Sequence, residues 1–350
     1  MKTEFQRILL IQTAFLGDAI LTLPLIQAAK QKYPNATIDV IVTPQAAGLF
    51  ANHPAIRNII PYDKRGLDKG LVGFRRIRKK VESFGYNAAI VPHRSVRSAL
   101  LARMSRIPVR VGFDRSAGRY LFTDVIRYRS DLHEIERNLS LLNAFGEEVK
   151  GRILPSLYPG ESDKASIEKL IEQHGLNRSR ELVAIAPGTI WNTKRWLKER
   201  FAEVARRLSV EGLSVVLVGS QSDRELCEDI SALAHSDRIV NTAGTLNLLQ
   251  SVELIRRCRI IISNDSAPMH MAVAVRTPVV AIFGATVPSF GFAPYGDNDV
   301  VVETLGLQCR PCSVHGGHSC PIKTFDCMKN IEVERVLSEV HIRMESPRTH

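Results

Sequence analysis

Short apolar runs alternate along this chain with stretches whose apolar positions recur at helical spacing. Residues 7–12, Arg7-Ile8-Leu9-Leu10-Ile11-Gln12, read as a strand buried on both faces, and residues 19–32 as a helix with Pro24 inside its pattern, marking an early turn or a kink. Strands are predicted at 37–42, 56–61, 86–91 and 109–112, with helices at 69–84, 95–104 and 133–145. Residues 115–129 are basic, contain Gly and lack a clear period, so they read as a mobile loop. The Gly and Pro content of 147–160 is that of a linker.

The alternation then resumes. Helices are predicted at 162–174, 197–209, 223–234 and 246–257, and strands at 182–186, 213–218 and 239–240. An apolar run at 259–262 reads as a buried strand, followed by a small-residue helix at 271–274, a strand at 278–283, a strand at 300–302 and a closing helix at 331–341. Strand–helix alternation of this length implies parallel sheets with right-handed crossovers. The expected fold is α/β, with two Rossmann-like domains facing a central cleft: residues 1–155, residues 156–330, and a C-terminal helix and tail at 331–350.

Composition sets the class. A length of 350 residues fits about two domains, and 45% apolar with 24% charged residues is a soluble globular balance. No apolar run approaches the roughly 20 residues that span a bilayer, and the N-terminus lacks the form of a signal peptide. The expectation is therefore a cytoplasmic protein whose six cysteines are reduced or metal-bound. The net charge of +11 changes the picture, because residues 1–155 hold 25 Lys+Arg against 13 Asp+Glu while the remainder is nearly balanced. An anionic partner for the first half follows, whether nucleic acid, a membrane surface or an acidic substrate. No nucleic-acid motif accompanies this charge.

Candidate chemistry lies at predicted strand ends. Asp18 follows Gly17 after the first strand, where a carboxylate can take a proton from a hydroxyl or simply cap a helix. Ala186-Pro187-Gly188-Thr189, with Lys194 and Arg195 beyond, suits a diphosphate but lacks P-loop spacing. Ser220 and Asp223 border the next strand end, Asp223 as ribose partner or N-cap. Ser263-Asn264-Asp265-Ser266-Ala267-Pro268-Met269-His270 opens a helix whose unpaired N–H groups and dipole favour a phosphate, with Asp265 or Ser266 available as cap. Asp297-Asn298-Asp299 has a metal-holding form but sits in a turn. Cys309, Cys312, Cys320 and Cys327 have zinc-site character with non-standard later spacing, so reduced loop thiols are the expected state and a metal the alternative.

Together these pieces resemble the lipopolysaccharide heptosyltransferases of glycosyltransferase family 9, more the heptosyltransferase II type than I. The matching residues are Gly17-Asp18, Ala186 to Thr189 with Lys194-Arg195-Trp196, Val218-Gly219-Ser220, Asn241 to Gly244, Asn264 to His270, Gly284-Ala285-Thr286 and the cysteine tail, in the family's order. Many members carry Gly where Ala267 stands here. The resemblance implies a GT-B fold, an ADP-heptose donor in the C-terminal domain and no required cofactor or metal. It implies inverting transfer to a Kdo-bearing or heptosylated lipid A core at the cytoplasmic face of the inner membrane. Asp18 is then the general base. Thr189, Lys194, Ser220, Asp223, Asp265, Ser266, Ala267 and His270 hold the donor, Arg75 to Lys80 and Arg94 to Arg119 grip the acceptor, with Arg75, Arg94, Arg97 and Arg115 as its candidate contacts, and the protein is expected as a monomer. The rival readings are a family transferase with another donor or acceptor, a non-catalytic anion-binding module, and a nucleotide-sugar epimerase of similar fold.

Overall fold

The computed structural model describes residues 5–146, 149, 151–176 and 181–346. The chain divides into two compact units, Met1–Tyr158 and Pro159–His350, a few residues beyond the expected boundary, with the closing helix part of the second. In the first unit the strands are β1 Arg7–Gln12, β2 Thr37–Val42, β3 Asn58–Pro61, β4 Ala88–Val91, β5 Val109–Phe113 and β6 Asp124–Ile126. Its helices are α1 Leu16–Leu21, α2 Leu23–Lys32, α3 Pro44–Ala47, α4 Gly70–Ser83, α5 Val96–Met104 and α6 Glu134–Ser140. The second unit has β7 Leu182–Ala186, β8 Ser214–Leu217, β9 Ile239–Asn241, β10 Ile260–Asn264, β11 Val279–Phe283 and β12 Val300–Glu303. Its helices are α7 Glu161–Gln173, α8 Lys198–Val210, α9 Arg224–Ala234, α10 Leu248–Arg257, α11 Ala267–Ala274, α12 Asp326–Lys329 and α13 Val333–Glu345.

Both sheets are six-stranded, ordered β3-β2-β1-β4-β5-β6 and β12-β11-β10-β7-β8-β9, and every pairing is parallel. Counted from each unit's first strand these are the same doubly wound order, although the sequence shows no repeat. The central strands read as continuous apolar runs because helices cover both faces. Ile8 to Ile11 and Leu182 to Ala186 are accordingly buried.

Three expectations are corrected. The first helix starts at Leu16 and stops at Leu21, where the Thr22 hydroxyl donates to the Asp18 carbonyl at 2.7 Å and accepts from Gln12 Nε2 at 3.0 Å. A second helix then starts with Pro24 in its first turn, where a missing N–H is harmless. Asp18 therefore stands in the first turn of α1, not ahead of it. Residues 115–129 are no mobile loop: they hold a 3-10 turn and the edge strand β6, and Arg110 Nε donates to the Leu121 carbonyl at 2.8 Å. Finally, β10 runs through Asn264 and α11 begins at Ala267, so Ser263 and Asn264 belong to the strand. The turn at 297–299 is a strand pin: Asp299 Oδ1 accepts from Val279 N at 3.0 Å.

One buried charge anchors the first sheet. Asp39 in β2 accepts from Arg57 Nη2 at 2.7 Å, Asn58 N at 3.1 Å and Tyr86 OH at 2.6 Å. Burial alone would push this carboxyl up, but Arg57, Tyr86 and Asn58 together hold it below its ordinary value of 3.8. Asp39→Ala is expected to destabilise the fold by about 2–3 kcal/mol, read by urea denaturation. The lower part of the buried-pair range applies because Arg57 is 40% exposed and can hydrate. A lowered carboxyl contributes stability above its unfolded value that is lost as pH falls through the folded one. The variant should therefore lose less stability than the parent on acidification below about pH 4.

Candidate functional site

In a doubly wound sheet, ligands bind beyond the carboxyl ends of the strands, where the winding reverses. In the second unit that point lies between β7 and β10. Asn264 closes it: its Nδ2 donates to the Pro187 carbonyl at 2.8 Å and its Oδ1 accepts from Trp196 N at 3.1 Å. A single buried amide thus clamps the loop after β7 to the end of β10. The same clamp carries Lys194 to the start of α11, where Nζ lies 2.6 Å from Asp265 Oδ2. Thr286, from the loop after β11, donates to that oxygen at 2.7 Å.

Asp265 is therefore a counter-charge for Lys194 and does not cap α11. Ser266 takes the N-cap position, but its side chain makes no cap hydrogen bond and donates instead to the Asn264 carbonyl at 3.3 Å. No side chain caps α11; Pro268 has no N–H to offer, Met269 N donates to the Ser266 carbonyl at 3.2 Å, and His270 sits one turn in, buried and not turned to solvent.

Thr189 lies beside the clamp, its hydroxyl accepting from Trp191 N at 3.3 Å and its carbonyl from Arg195 Nη2 at 2.9 Å. Asp223 reaches the same edge from β8: a Cβ on Gly188 or Gly219 would run into its side chain, so both glycines are required by close approach. One Asp223 oxygen is already engaged by Ser220, whose N–H donates at 2.9 Å and hydroxyl at 2.6 Å. Ser220 and Asp223 are thus a capping pair around the 3-10 turn that leads into α9.

The cysteine tail folds back over these loops. Arg310 donates to the carbonyls of Gly284, Thr286 at 2.7 Å and Thr304 at 3.0 Å, and pairs with Glu303. Gly317 N donates to Thr193 Oγ1 at 2.8 Å. Cys309, Cys312, Cys320 and Cys327 are free thiols, and burial pushes Cys327 up to about 11. Among the described residues no three His, Cys, Asp or Glu side chains are grouped to hold a metal, while the charges of Cys312, Cys320 and Cys309 all reach Cys327.

The first unit has a matching arrangement between β1 and β4. Thr13 Oγ1 lies 3.0 Å from His93 Nδ1, and Lys64 Nζ donates to the Thr13 carbonyl at 2.8 Å. Burial, with Lys64 and Arg94 adding to it, lowers His93 to about 4, so the imidazole is neutral at physiological pH. This bridge fixes the loop that leads to Asp18.

Behind Asp18 lies α6, tied to α1 by Asn138 Nδ2 donating to the Leu21 carbonyl at 3.1 Å. One turn earlier on α6, Glu134 accepts from Arg137 Nη1 at 2.9 Å and lies 3.4 Å from Tyr128 OH. Arg94 and Arg115 are both exposed yet stacked on the Tyr128 ring, 4.8 and 5.5 Å from its centroid. Neither has a carboxylate partner among the described residues. Arg97 differs, because its donors are taken by Tyr62 OH and the carbonyls of Asp68 and Gly70. Arg75 is exposed on α4, apart from this cluster.

Sequence reading missed Asn264 as a clamp, although it stood in the quoted motif. It gave no role to Thr286, although that residue too stood in a quoted motif, and it missed Arg310, His93, Tyr128 and Glu134, whose bonds no local motif marks.

Residues 74–321 match the family model described as glycosyltransferase family 9 (heptosyltransferase). The chain is 31% identical over 300 residues to lipopolysaccharide heptosyltransferase 2 of Salmonella typhimurium, spanning 81% of this chain and 84% of that protein. The solved structure of E. coli ADP-heptose lps heptosyltransferase II aligns with a TM-score of 0.80 and 28% identity over 97% of this chain and 98% of that one. A family 9 glycosyl transferase from Veillonella parvula aligns with a TM-score of 0.89 and 22% identity, covering 98% of each chain. The pair of six-stranded Rossmann units is the α/β architecture of these GT-B proteins.

Glu134 gives a measurable pH signature. Burial, then the Asp18 charge, push its carboxyl up to about 7 against the opposing pull of Arg137 and Arg94. A carboxyl raised on folding contributes stability below its unfolded value that is lost as pH rises through the folded one. Between about pH 5 and pH 8 the melting temperature of the parent should therefore fall more than that of Glu134→Gln, whose amide cannot ionise. Calorimetric scans across that range check it, and parallel pH profiles would remove the assignment.

Proposed function

The chain belongs to glycosyltransferase family 9, and on that premise we propose that it transfers L-glycero-D-manno-heptose from ADP-heptose to the lipopolysaccharide inner core, in the manner of heptosyltransferase II. The observation that carries the donor half is the Lys194–Asp265 pair, clamped by Asn264 beside the uncapped first turn of α11. A cation and the positive end of a helix at one strand edge suit a diphosphate. The carbonyl-bonded turn of Thr189, the Ser220–Asp223 cap and buried His270 complete the donor surface, with Ala267 allowing close approach at the helix start.

The reaction is a single displacement. An acceptor hydroxyl attacks the anomeric carbon, and Asp18 takes its proton as the new C–O bond forms. The bond from that carbon to the β-phosphate oxygen breaks, and its electron pair leaves with ADP. Lys194 and the α11 amides stabilise charge that grows only as that bond breaks, which lowers the barrier without tightening the ground state equally. Inversion follows from the one displacement.

Arg94 and Arg115, held on Tyr128 without carboxylate partners, suit the Kdo carboxylates or phosphates of a lipid A core, with Arg75 further out. Arg97 supports this surface through its bonds to the residue 68–70 backbone. The protein acts as a monomer, peripheral to the cytoplasmic face of the inner membrane, where such an acceptor is presented.

A transfer assay with ADP-heptose and two acceptors, one bearing Kdo only and one already monoheptosylated, tests this. The expected outcome is a preference for the monoheptosylated acceptor, and transfer from a different nucleotide sugar instead would replace the donor assignment. Asp18→Asn should bind ADP-heptose normally by calorimetry and lose about 10²–10⁴-fold in turnover. Near-normal turnover would remove Asp18 as base. Added salt should raise KM for the acceptor more than for the donor.

A further inference from the structure

The first unit carries an apolar tip next to the 68–70 backbone that Arg97 binds, and none of its apolar side chains has a part in the proposed reaction. Leu67, Leu71 and Val72 are 84%, 75% and 80% exposed. They do not sit on a frayed loop. Asp63 Oδ1 accepts from Gly66 N at 2.9 Å and Oδ2 from Leu67 N at 3.0 Å, while Asp68 Oδ2 accepts from Asp63 N at 3.0 Å. Asp68 is buried and paired with Arg76 at 2.6 Å, and Arg97 ties the Asp68 carbonyl to α5 at 2.9 Å. A Cβ on Gly73 would strike the Asp68 backbone, so the first turn of α4 is seated directly on this knot. Three aliphatic side chains are thus held out into solvent by a built network.

On α5, Val96, Leu100 and Met104 repeat at helical spacing with 51%, 36% and 45% exposure. Residues 63–80 hold eight Lys or Arg against two Asp, and both of those carboxylates are consumed inside the knot. Arg65, Lys69, Arg75, Lys79 and Lys80 remain exposed around the apolar tip.

We propose that this surface docks the protein on an anionic phospholipid leaflet, with Leu67, Leu71 and Val72 entering the headgroup–acyl boundary and the surrounding Lys and Arg side chains meeting the lipid phosphates. Exposed aliphatics ringed by basic side chains are the pattern of an interfacial anchor. A negative leaflet attracts each Lys or Arg near its surface, and salt screens that attraction. A protein partner fits less well, since a stable interface engages roughly 20–30 residues a side with a charge-depleted core, whereas this tip is small and its rim strongly basic. The inference rests on the reading that the acceptor is lipid-borne, and it names the surface that would meet the bilayer.

The test is co-sedimentation of the full chain with phosphatidylethanolamine–phosphatidylglycerol vesicles and with phosphatidylcholine vesicles. The parent should bind the anionic vesicles, with affinity falling as salt rises. The triple variant Leu67→Ser, Leu71→Ser, Val72→Ser should bind them at least about ten-fold more weakly. Because these side chains are exposed, its melting temperature and its turnover of a soluble, delipidated acceptor should match the parent. Failure of the parent to bind anionic vesicles, or undiminished binding by the triple variant, overturns the proposal. So does self-association of the parent through this face, abolished in the triple variant, without vesicle binding. Should ADP-heptose transfer fail while vesicle binding is lost in the variant, the docking surface stands and only the activity reading falls.

Discussion

A strand can lie parallel to its neighbour only if the chain crosses over and re-enters from the same edge, so all the outgoing loops of a parallel sheet collect at the other. Both sheets here are wholly parallel and share one doubly wound order, and the polar residues with chemical potential follow from that constraint. At each reversal point a side-chain hydrogen bond joins the two central strand ends: Thr13 to His93 in the first unit, Asn264 to the Pro187 carbonyl in the second. These bonds hold what would otherwise be two independent loops, and the residues proposed for the reaction hang from them. Asp18 lies one loop beyond Thr13. Lys194 comes from the segment whose Trp196 N–H is bound by Asn264. An error of a few tenths of an ångström in either clamp would pass directly to the reacting groups.

Much of the fold was legible because buried parallel strands must be apolar on both faces. The runs at 7–12, 37–42 and 182–186 coincide with β1, β2 and β7. Where burial is partial, the signal fails for a physical reason. β6 is a three-residue edge strand, partly exposed, so neither an apolar run nor an alternation marks it. The break between α1 and α2 depends on one hydroxyl, Thr22, which serves two partners, and a period of apolar positions does not register it.

The candidate site was legible as motifs but not as partnerships. A cation in a basic helix reads as free, and Arg75 is exposed, yet Arg97 spends its donors on Tyr62 and two carbonyls. Asp265 and Ser266 read as caps, whereas the short bonds of Asp265 go to Lys194 and Thr286. Glu134 could not be suspected from its surroundings in sequence, because the charge that raises it, Asp18, is on the first helix of the unit. Each miss has the same origin: local pattern predicts burial and backbone, while the fate of a charge depends on residues brought in by the sheet order.

The Lys194–Asp265 pair shows how such a fate shapes function. Both side chains are largely buried, 13% and 7% exposed, and an unpaired charge there would be costly. Pairing makes a lysine tolerable in the empty protein, at the expense of part of its attraction for an incoming anion. On the proposed donor reading, a diphosphate must compete with a carboxylate already in place at 2.6 Å. On the same reading, Asp265 holds Lys194 beside the start of α11, and the attraction of that cation for a phosphate grows as the phosphate gains charge.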